Sequence, residues 1–277
     1  HQTLGSAIPE DEIRQYTHPD LYFFGDGIKS LMSKSDIVAF YHGWKVARGC
    51  NAEYELAKAY NQNGQYDEAI NTLMANDFVP CEGGEHAIAD QYMYAYLCKG
   101  INEMKAGNYE KALELLTFGQ ILPQSLGAGI WNHCKYIPMR YRAALCLEAL
   151  GRKSEADEIY TYIATTEIEY FSNMHLPELP YYQALSYDRL GESFKARSLI
   201  TKYRRAWSTF EDVVDNGFFA TTPFFMPFIE EPKKLRRSKA LYFNGLVDRY
   251  LGLDAEADKK MAESFSLNND NLFAKIM

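Results

Sequence analysis

The stretch "AEYELAKAYNQNGQYDEAINTL", from Ala52 to Leu73, decides the fold of this chain. Gly64 sits near its middle, and glycine adopts φ > 0 without a Cβ clash, as the ends of many helices require. Ala57 before it and Ala69 after it are small, and small residues allow two helices to approach closely. The stretch therefore predicts two helices joined by a tight turn at the glycine.

The same pattern occurs five times along the chain. The turn glycines are Gly64, Gly107, Gly151, Gly191 and Gly252. Seven residues before them come Ala57, Gly100, Ala144, Ala184 and Gly245, and five residues after them come Ala69, Ala112, Ala156, Ala196 and Ala257. Nine residues after them come large side chains: Leu73, Leu116, Tyr160, Ile200 and Met261. Agreement at three offsets in all five places predicts a repeated helical hairpin.

Two of these stretches resemble the tetratricopeptide repeat, whose pattern is W-x2-L-G-x2-Y followed by A-x3-F. They are the opening stretch and "YLCKGINEMKAGNYEKALELL", from Tyr96 to Leu116. Tyr66 and Tyr109, two residues after the turn glycine, fit as well. The resemblance implies an all-α fold, a right-handed superhelical solenoid of antiparallel hairpins.

The spacing of the turns predicts how the domain is organised. Successive turn glycines are 43, 44, 40 and 61 residues apart, whereas the standard unit has about 34 residues. Long connectors must therefore follow each hairpin, and we expect them to gather on one side. We predict one repeat domain over residues 51–277, preceded by a loop and a capping helix over 1–50. Its units lie near 52–76, 93–118, 138–163, 179–204 and 238–267.

A closer resemblance extends from Asn61 to Met277. Its segments include "GQYDEAINTLMANDFVPCEGGEH", "ALCLEALGRKSEADEIY" and "PYYQALSYDRLGESFKAR". They are similar to the C-terminal repeats of a bacterial family of unknown function, in which an all-β domain resembling carbohydrate-processing sandwiches comes first. The resemblance implies a link to glycan metabolism, with the chain's own N-terminal β domain as one possible partner.

Composition excludes some classes of protein. The 29 Lys and Arg residues against 37 Asp and Glu residues give a net charge of −8, which disfavours nucleic-acid binding. Apolar runs such as "YMYAYLC" fall far short of the roughly 18 residues that a membrane span needs. The five cysteines lack CxxC spacing and are expected to be small buried side chains. We expect a soluble chain, cytoplasmic or periplasmic.

The first candidate site is a row of tyrosines. In a tetratricopeptide hairpin the position ten before the turn glycine faces the concave groove. Here that position holds Tyr54, Leu97, Tyr141, Tyr181 and Tyr242. Tyrosine rings can stack on a sugar or anchor a peptide. The alternative is that these rings pack between neighbouring hairpins, since the chain has 21 tyrosines.

The connectors supply the other candidates. Glu82, Glu85 and His86 lie in "CEGGEHAIAD", where the two carboxylates could act as acid and base in glycoside hydrolysis. Their alternative roles are to open the next helix or to orient a ligand.

Trp131 and His133, in "LGAGIWNH", could approach that loop and stack on a sugar, or the tryptophan could fill the seam between hairpins. Arg236 and Arg237 follow an aromatic insert and could bind a carboxylate.

Metal and cofactor motifs do not occur. No pair of histidines has i,i+4 spacing, and neither GxxxxGK[ST] nor GxGxxG occurs, so we predict no metal and no cofactor. We predict a non-catalytic binding or assembly module that presents a concave tyrosine-lined groove to a partner domain, a peptide or a glycan. The alternative is a carbohydrate-active enzyme, or its helical part, with Glu82 and Glu85 in the site.

Overall fold

The computed structural model describes residues 50–78, 87–127, 136–167, 178–208, 232–269 and 271–277. Within these ranges every regular element is helical, which confirms the predicted all-α class. The predicted N-terminal loop and capping helix span residues 1–50, of which residues 1–49 lie outside the described residues and Cys50 begins the first described helix.

The helices follow one another in pairs. They are α1 (Cys50–Asn63), α2 (Tyr66–Met74), α3 (Ala87–Lys105), α4 (Tyr109–Phe118), α5 (Ile137–Ala149), α6 (Lys153–Thr165), α7 (Leu179–Arg189), α8 (Ser193–Ser208), α9 (Pro232–Tyr250), α10 (Asp254–Leu267) and α11 (Phe273–Ile276). A 3-10 turn, Gln124–Leu126, follows α4. The members of the pairs α1–α2, α5–α6, α7–α8 and α9–α10 pack against each other.

The chain divides into two compact units. Unit 1 comprises residues 1–96, 121–129 and 218–229, and unit 2 comprises 97–120, 130–217 and 230–277, so that the boundary falls within α3. In unit 2 the first helices of consecutive hairpins, α5, α7 and α9, contact one another in order. Each second helix also contacts the first helix of the next hairpin. The single domain over 51–277 stays a prediction.

All five turns have the same backbone geometry. The predicted positive φ is confirmed at each turn glycine, with values from 75° to 82°. At Gly151, the N–H donates to Glu148 O at 3.0 Å, and the next N–H, of Arg152, donates to Leu147 O at 2.8 Å. These two bonds form the Schellman motif, which satisfies the last carbonyls of a helix. The carbonyl of Arg152 then accepts from Ala156 N–H at 3.2 Å, so one residue ends the first helix and begins the second.

The small residues of the repeat lie where the paired helices touch. The five alanines that follow the turns are fully buried, and so are the large side chains four residues further on. A Cβ added to Gly100 would lie 2.6 Å from Leu116 Cγ, and one added to Gly245 would lie 3.0 Å from Met261 Cε. The position seven before the turn therefore faces the position nine after it, so a small residue there allows the two helices to approach closely.

The last hairpin starts earlier than its predicted unit. The segment 216–237 contains three prolines, a composition that predicts no simple helix over its length, but α9 begins at Pro232, the last of them. Proline is tolerated in the first turn of a helix, where its missing N–H would have no intrahelical partner. The aromatic residues from Phe218 to Phe228 lie outside the described residues.

Gly151→Ala should lower the free energy of unfolding by about 1–2 kcal/mol, because an L side chain is strained in the left-handed conformation. Nothing lies within 4 Å of the position that the new Cβ would take, so the loss reflects the backbone alone. Gly151→Asn should lose less, since Asn tolerates this conformation. Urea denaturation measures both variants, and equal losses for Ala and Asn would contradict the explanation.

Gly100→Ala and Gly245→Ala form a matched pair. Alanine favours a helix over glycine by up to about 1 kcal/mol, but at Gly100 it would meet the Leu116 branch point, which cannot swing away. We expect Gly100→Ala to cost about 1–3 kcal/mol and Gly245→Ala to be nearly neutral, because the Met261 methyl group can move. Adding Leu116→Val to Gly100→Ala should restore part of the lost free energy of unfolding, because the shorter side chain makes room for the methyl group. If urea denaturation shows no such gain, the contact between these two positions is not the cause of the loss.

Candidate ligand-binding face of unit 2

Three of the four predicted groove tyrosines lie inside unit 2. Tyr141, Tyr181 and Tyr242 are 7%, 5% and 2% exposed. Tyr54 belongs to unit 1, where it is half-buried against the core, with Lys58 Nζ 5.9 Å from its ring centre. Burial of the rings matches the packing role that was the alternative for this row. Contact with a ligand stays a prediction.

The buried rings contact one another across the hairpins. Tyr141 on α5 lies 5.7 Å from Tyr160 on α6 and 5.6 Å from Tyr182 on α7, between ring centres. Tyr182 in turn lies 5.3 Å from Tyr181. Tyr242 belongs to the same hydrophobic core. We call these five residues the tyrosine cluster.

Arg142 lies at the edge of the tyrosine cluster. Its Nη1 donates to Pro138 O at 3.0 Å and to Tyr182 Oη at 3.2 Å, and its Nη2 donates to Met277 Sδ at 3.2 Å. All three acceptors are neutral, and no carboxylate of the described residues forms an ion pair with this guanidinium. A thioether is a weak acceptor, whereas guanidinium offers five N–H donors. Arg142 therefore retains capacity for a stronger acceptor.

A buried carboxylate also lies near the tyrosine cluster. Glu178, directly before α7, is only 8% exposed. Burial, together with this carboxylate, raises the pKa of Tyr242 well above its usual range. Within the described part of the chain the hydroxyl of Ser186 is also buried, without a hydrogen-bond partner.

Sequence reasoning missed Arg142, Tyr182 and Glu178. Arg142 and Tyr182 follow the predicted row by one residue, nine before the turn glycines Gly151 and Gly191. An arginine directly after a tyrosine of the predicted row was the available signal. Glu178 carried no signal, because it precedes its helix and only the packing of α7 brings it to Tyr242.

The remaining predicted site residues divide into two groups. Arg237 is exposed and paired with Glu263, with Nη2 2.7 Å from Oε1, and Arg236 is half-buried on the same helix. Predicted residues that lie outside the described ranges are Glu82, Glu85, His86, Trp131 and His133. The structure therefore brings Tyr141, Tyr181 and Tyr242 together and leaves the connector hypotheses as predictions.

The two described thiols are buried, as expected. Cys98 and Cys146 are 2% and 0% exposed and form no disulfide. Burial raises the pKa of Cys146 to about 11, so its nucleophilic thiolate is scarce at neutral pH. Among the residues that the structure describes, no group of three or more His, Cys, Asp or Glu side chains is arranged to hold a metal ion.

No known protein-family model matches this chain. The likeness to tetratricopeptide repeats and to the bacterial family therefore remains a resemblance carried by the residues quoted above. None of the described helices is both long and apolar enough to cross a membrane.

The tyrosine cluster should make the fold sensitive to alkali. Burial raises the pKa of Tyr181 and of Tyr160 above the usual value of about 10. The unfolded chain therefore releases these protons first, so stability is constant below about pH 10 and falls above it by about 1.4 kcal/mol per pH unit for each tyrosine. Urea denaturation between pH 9 and 11 should show this slope, and Tyr181→Phe should reduce it by one tyrosine's share; an unchanged slope would contradict the assignment.

Proposed function

We propose that this chain is a non-catalytic binding module of the tetratricopeptide type, a right-handed solenoid that presents its layer of first helices to a partner. The support is the repeated hairpin, with the same turn at five places and the same pairing of small and large residues. In such arrays each repeat contacts its neighbours, and the resulting extended surface binds other molecules.

Polar contacts hold the first helices of unit 2 in one register. Glu148 Oε2 accepts from Arg189 Nη1 at 3.0 Å, and Asp188 Oδ2 accepts from Tyr250 Oη at 2.7 Å. In both cases the residue three before one turn glycine meets the residue two before the next turn glycine. This constant offset fixes α5, α7 and α9 side by side, so side chains nine and ten before the turns form one continuous, largely buried layer.

The observation that carries the proposal is the guanidinium of Arg142, which lies in this layer and is only half-buried. It is held by two neutral oxygens and a thioether, although a carboxylate would form shorter, charge-assisted and bidentate bonds. The ligand is therefore a molecule that carries a carboxylate: an acidic segment of a partner domain, a peptide or a sugar acid. The tyrosine hydroxyls beside Arg142 supply the hydrogen bonds that orient it.

Met277 covers this guanidinium in the structure. The segment from Phe273 to Met277 packs against the unit 2 core through its apolar side chains, and Met277 Sδ also lies 3.6 Å from Tyr182 Oη. A carboxylate that reaches Arg142 must displace this side chain. Binding thus exchanges a weak sulfur contact for a charge-assisted one.

The test uses an array of sugars and capped peptides in which every carboxylate probe is matched with its amide. The wild-type chain should prefer the carboxylates, and Arg142→Met should weaken the preferred ones about tenfold to hundredfold, since a hydrogen bond to a charged group contributes about 1.5–3 kcal/mol. Arg205→Met, on the exposed part of α8, is the matched control and should bind as the wild type does.

The Met277→Ala variant distinguishes two roles of the Met277 side chain: competition with the ligand for Arg142, and packing that supports the fold. If the thioether competes with the ligand, its removal should raise affinity for the carboxylate probes several-fold even if the melting temperature falls. If the contact only supports the fold, affinity should fall with stability. Equal binding of carboxylates and amides, or an Arg142→Met variant that is folded and binds normally, would reject the proposed function.

A further inference from the structure

A cleft lies on unit 2, between α4, α5 and α6. Its volume of about 470 Å³ falls within the range of about 300–1,000 Å³ that is typical of ligand sites. Its apolar floor is formed by Leu113, Ala143, Leu147 and Ile159. Its rim carries Thr117, Gln120, Arg140, Arg152, Glu155, Glu158 and Tyr162.

This cleft and the tyrosine cluster use different faces of α5. Arg140, Ala143 and Leu147 are three and seven residues apart, so they lie on one side of the helix. Tyr141 and Arg142 are turned away from that side by the helical period. The two surfaces can therefore be altered independently.

Arg140 is held in position at one end of the cleft. Its guanidinium lies 4.6 Å from the ring centre of Tyr162, and its Nε donates to Gln120 Oε1 at 3.0 Å. Gln120 is fixed in turn, because its amide donates to Leu116 O at 2.9 Å. Among the described residues no carboxylate pairs with Arg140, and its terminal amino groups have no hydrogen-bond partner. The charge is thus oriented and available.

The acidic side chains of the rim do not form ion pairs with Arg140. Glu155 is bound by Arg152 through two bonds of 2.7 and 2.6 Å. Glu158 lies on the same face of α6 as Glu155 and Tyr162, and it forms no ion pair within the described part of the chain. The rim therefore carries one cation and one anion that have no charged partner among the described residues, above an aliphatic floor.

These features favour a peptide over a sugar. A sugar would need an open aromatic face, but the guanidinium of Arg140 covers one face of Tyr162, and the floor is aliphatic. A peptide segment can place an acidic side chain on Arg140, an apolar side chain on the floor and a basic side chain near Glu158.

We propose that this cleft docks a short segment of a partner protein in which an acidic residue stands next to a large apolar residue. Arg140 binds the carboxylate, with Tyr162 and Gln120 as its positioning residues. The apolar side chain lies against Ala143 and Ile159. This site is separate from the carboxylate site at Arg142.

The experiment screens a library of short peptides, acetylated and amidated so that only side chains carry charge, for binding to the whole chain. Peptides that combine Asp or Glu with Leu, Ile, Met or Phe should be enriched. Arg140→Gln should weaken the best of them about tenfold to hundredfold, and Arg140→Glu should shift the selection from acidic to basic residues at that position. A merely structural role for Arg140 would not reverse this preference.

Two tryptophan variants test the location. Thr117→Trp fills the cleft from its exposed rim and should abolish binding, whereas Thr161→Trp, exposed on α6 and not part of the cleft lining, should leave binding unchanged. Arg142→Met should also bind these peptides normally. The proposal is overturned if no peptide binds, if the enriched peptides lack an acid, or if Thr117→Trp binds as the wild type does.

Discussion

One backbone constraint governs the whole structure: a single residue per hairpin must take a left-handed conformation. At each turn the glycine allows the chain to reverse within two residues, because its N–H and the following N–H both return to the end of the first helix. The residue after the glycine then accepts the first bond of the second helix. This shared residue leaves little freedom in the angle between the two helices, so five glycines produce five similar hairpins.

The close approach of the helices follows from side-chain size. Gly100 faces Leu116, and Gly245 faces Met261, with no room for a methyl group between the first two. The alanines at Ala57, Ala144 and Ala184 occupy the corresponding position in the other hairpins. Because the small residue lies seven before the turn and the large one nine after it, the turn and the contact reinforce each other.

Helix α5 contributes side chains to both the tyrosine cluster and the cleft between α4, α5 and α6. Tyr141 and Arg142 face the neighbouring first helix α7, where rings and a guanidinium meet inside the core. Arg140, Ala143 and Leu147 face α4 and α6, where the surface is open. Two arginines only two residues apart thus have different environments, one held by neutral buried acceptors and one stacked on an exposed ring. The carboxylate sites proposed at Arg142 and Arg140 therefore use different faces of the same helix and can be tested separately.

The sequence by itself determined the helices, the turns and the contacting small residues, because these depend on local backbone sterics and on spacing along the chain. Gly151 and its four counterparts could be recognised without a structure for this reason. It could not determine that Tyr181 and Tyr242 are buried, since an exposed row and a packed row have the same spacing. Only the tertiary structure placed Met277 on Arg142, 135 residues away along the chain. The same holds for the site proposed at Arg140, which depends on Tyr162 from the second helix of its own hairpin and on Gln120 from the end of the preceding hairpin. Contacts of this kind depend on how the hairpins pack against each other, and no pattern within one repeat encodes them.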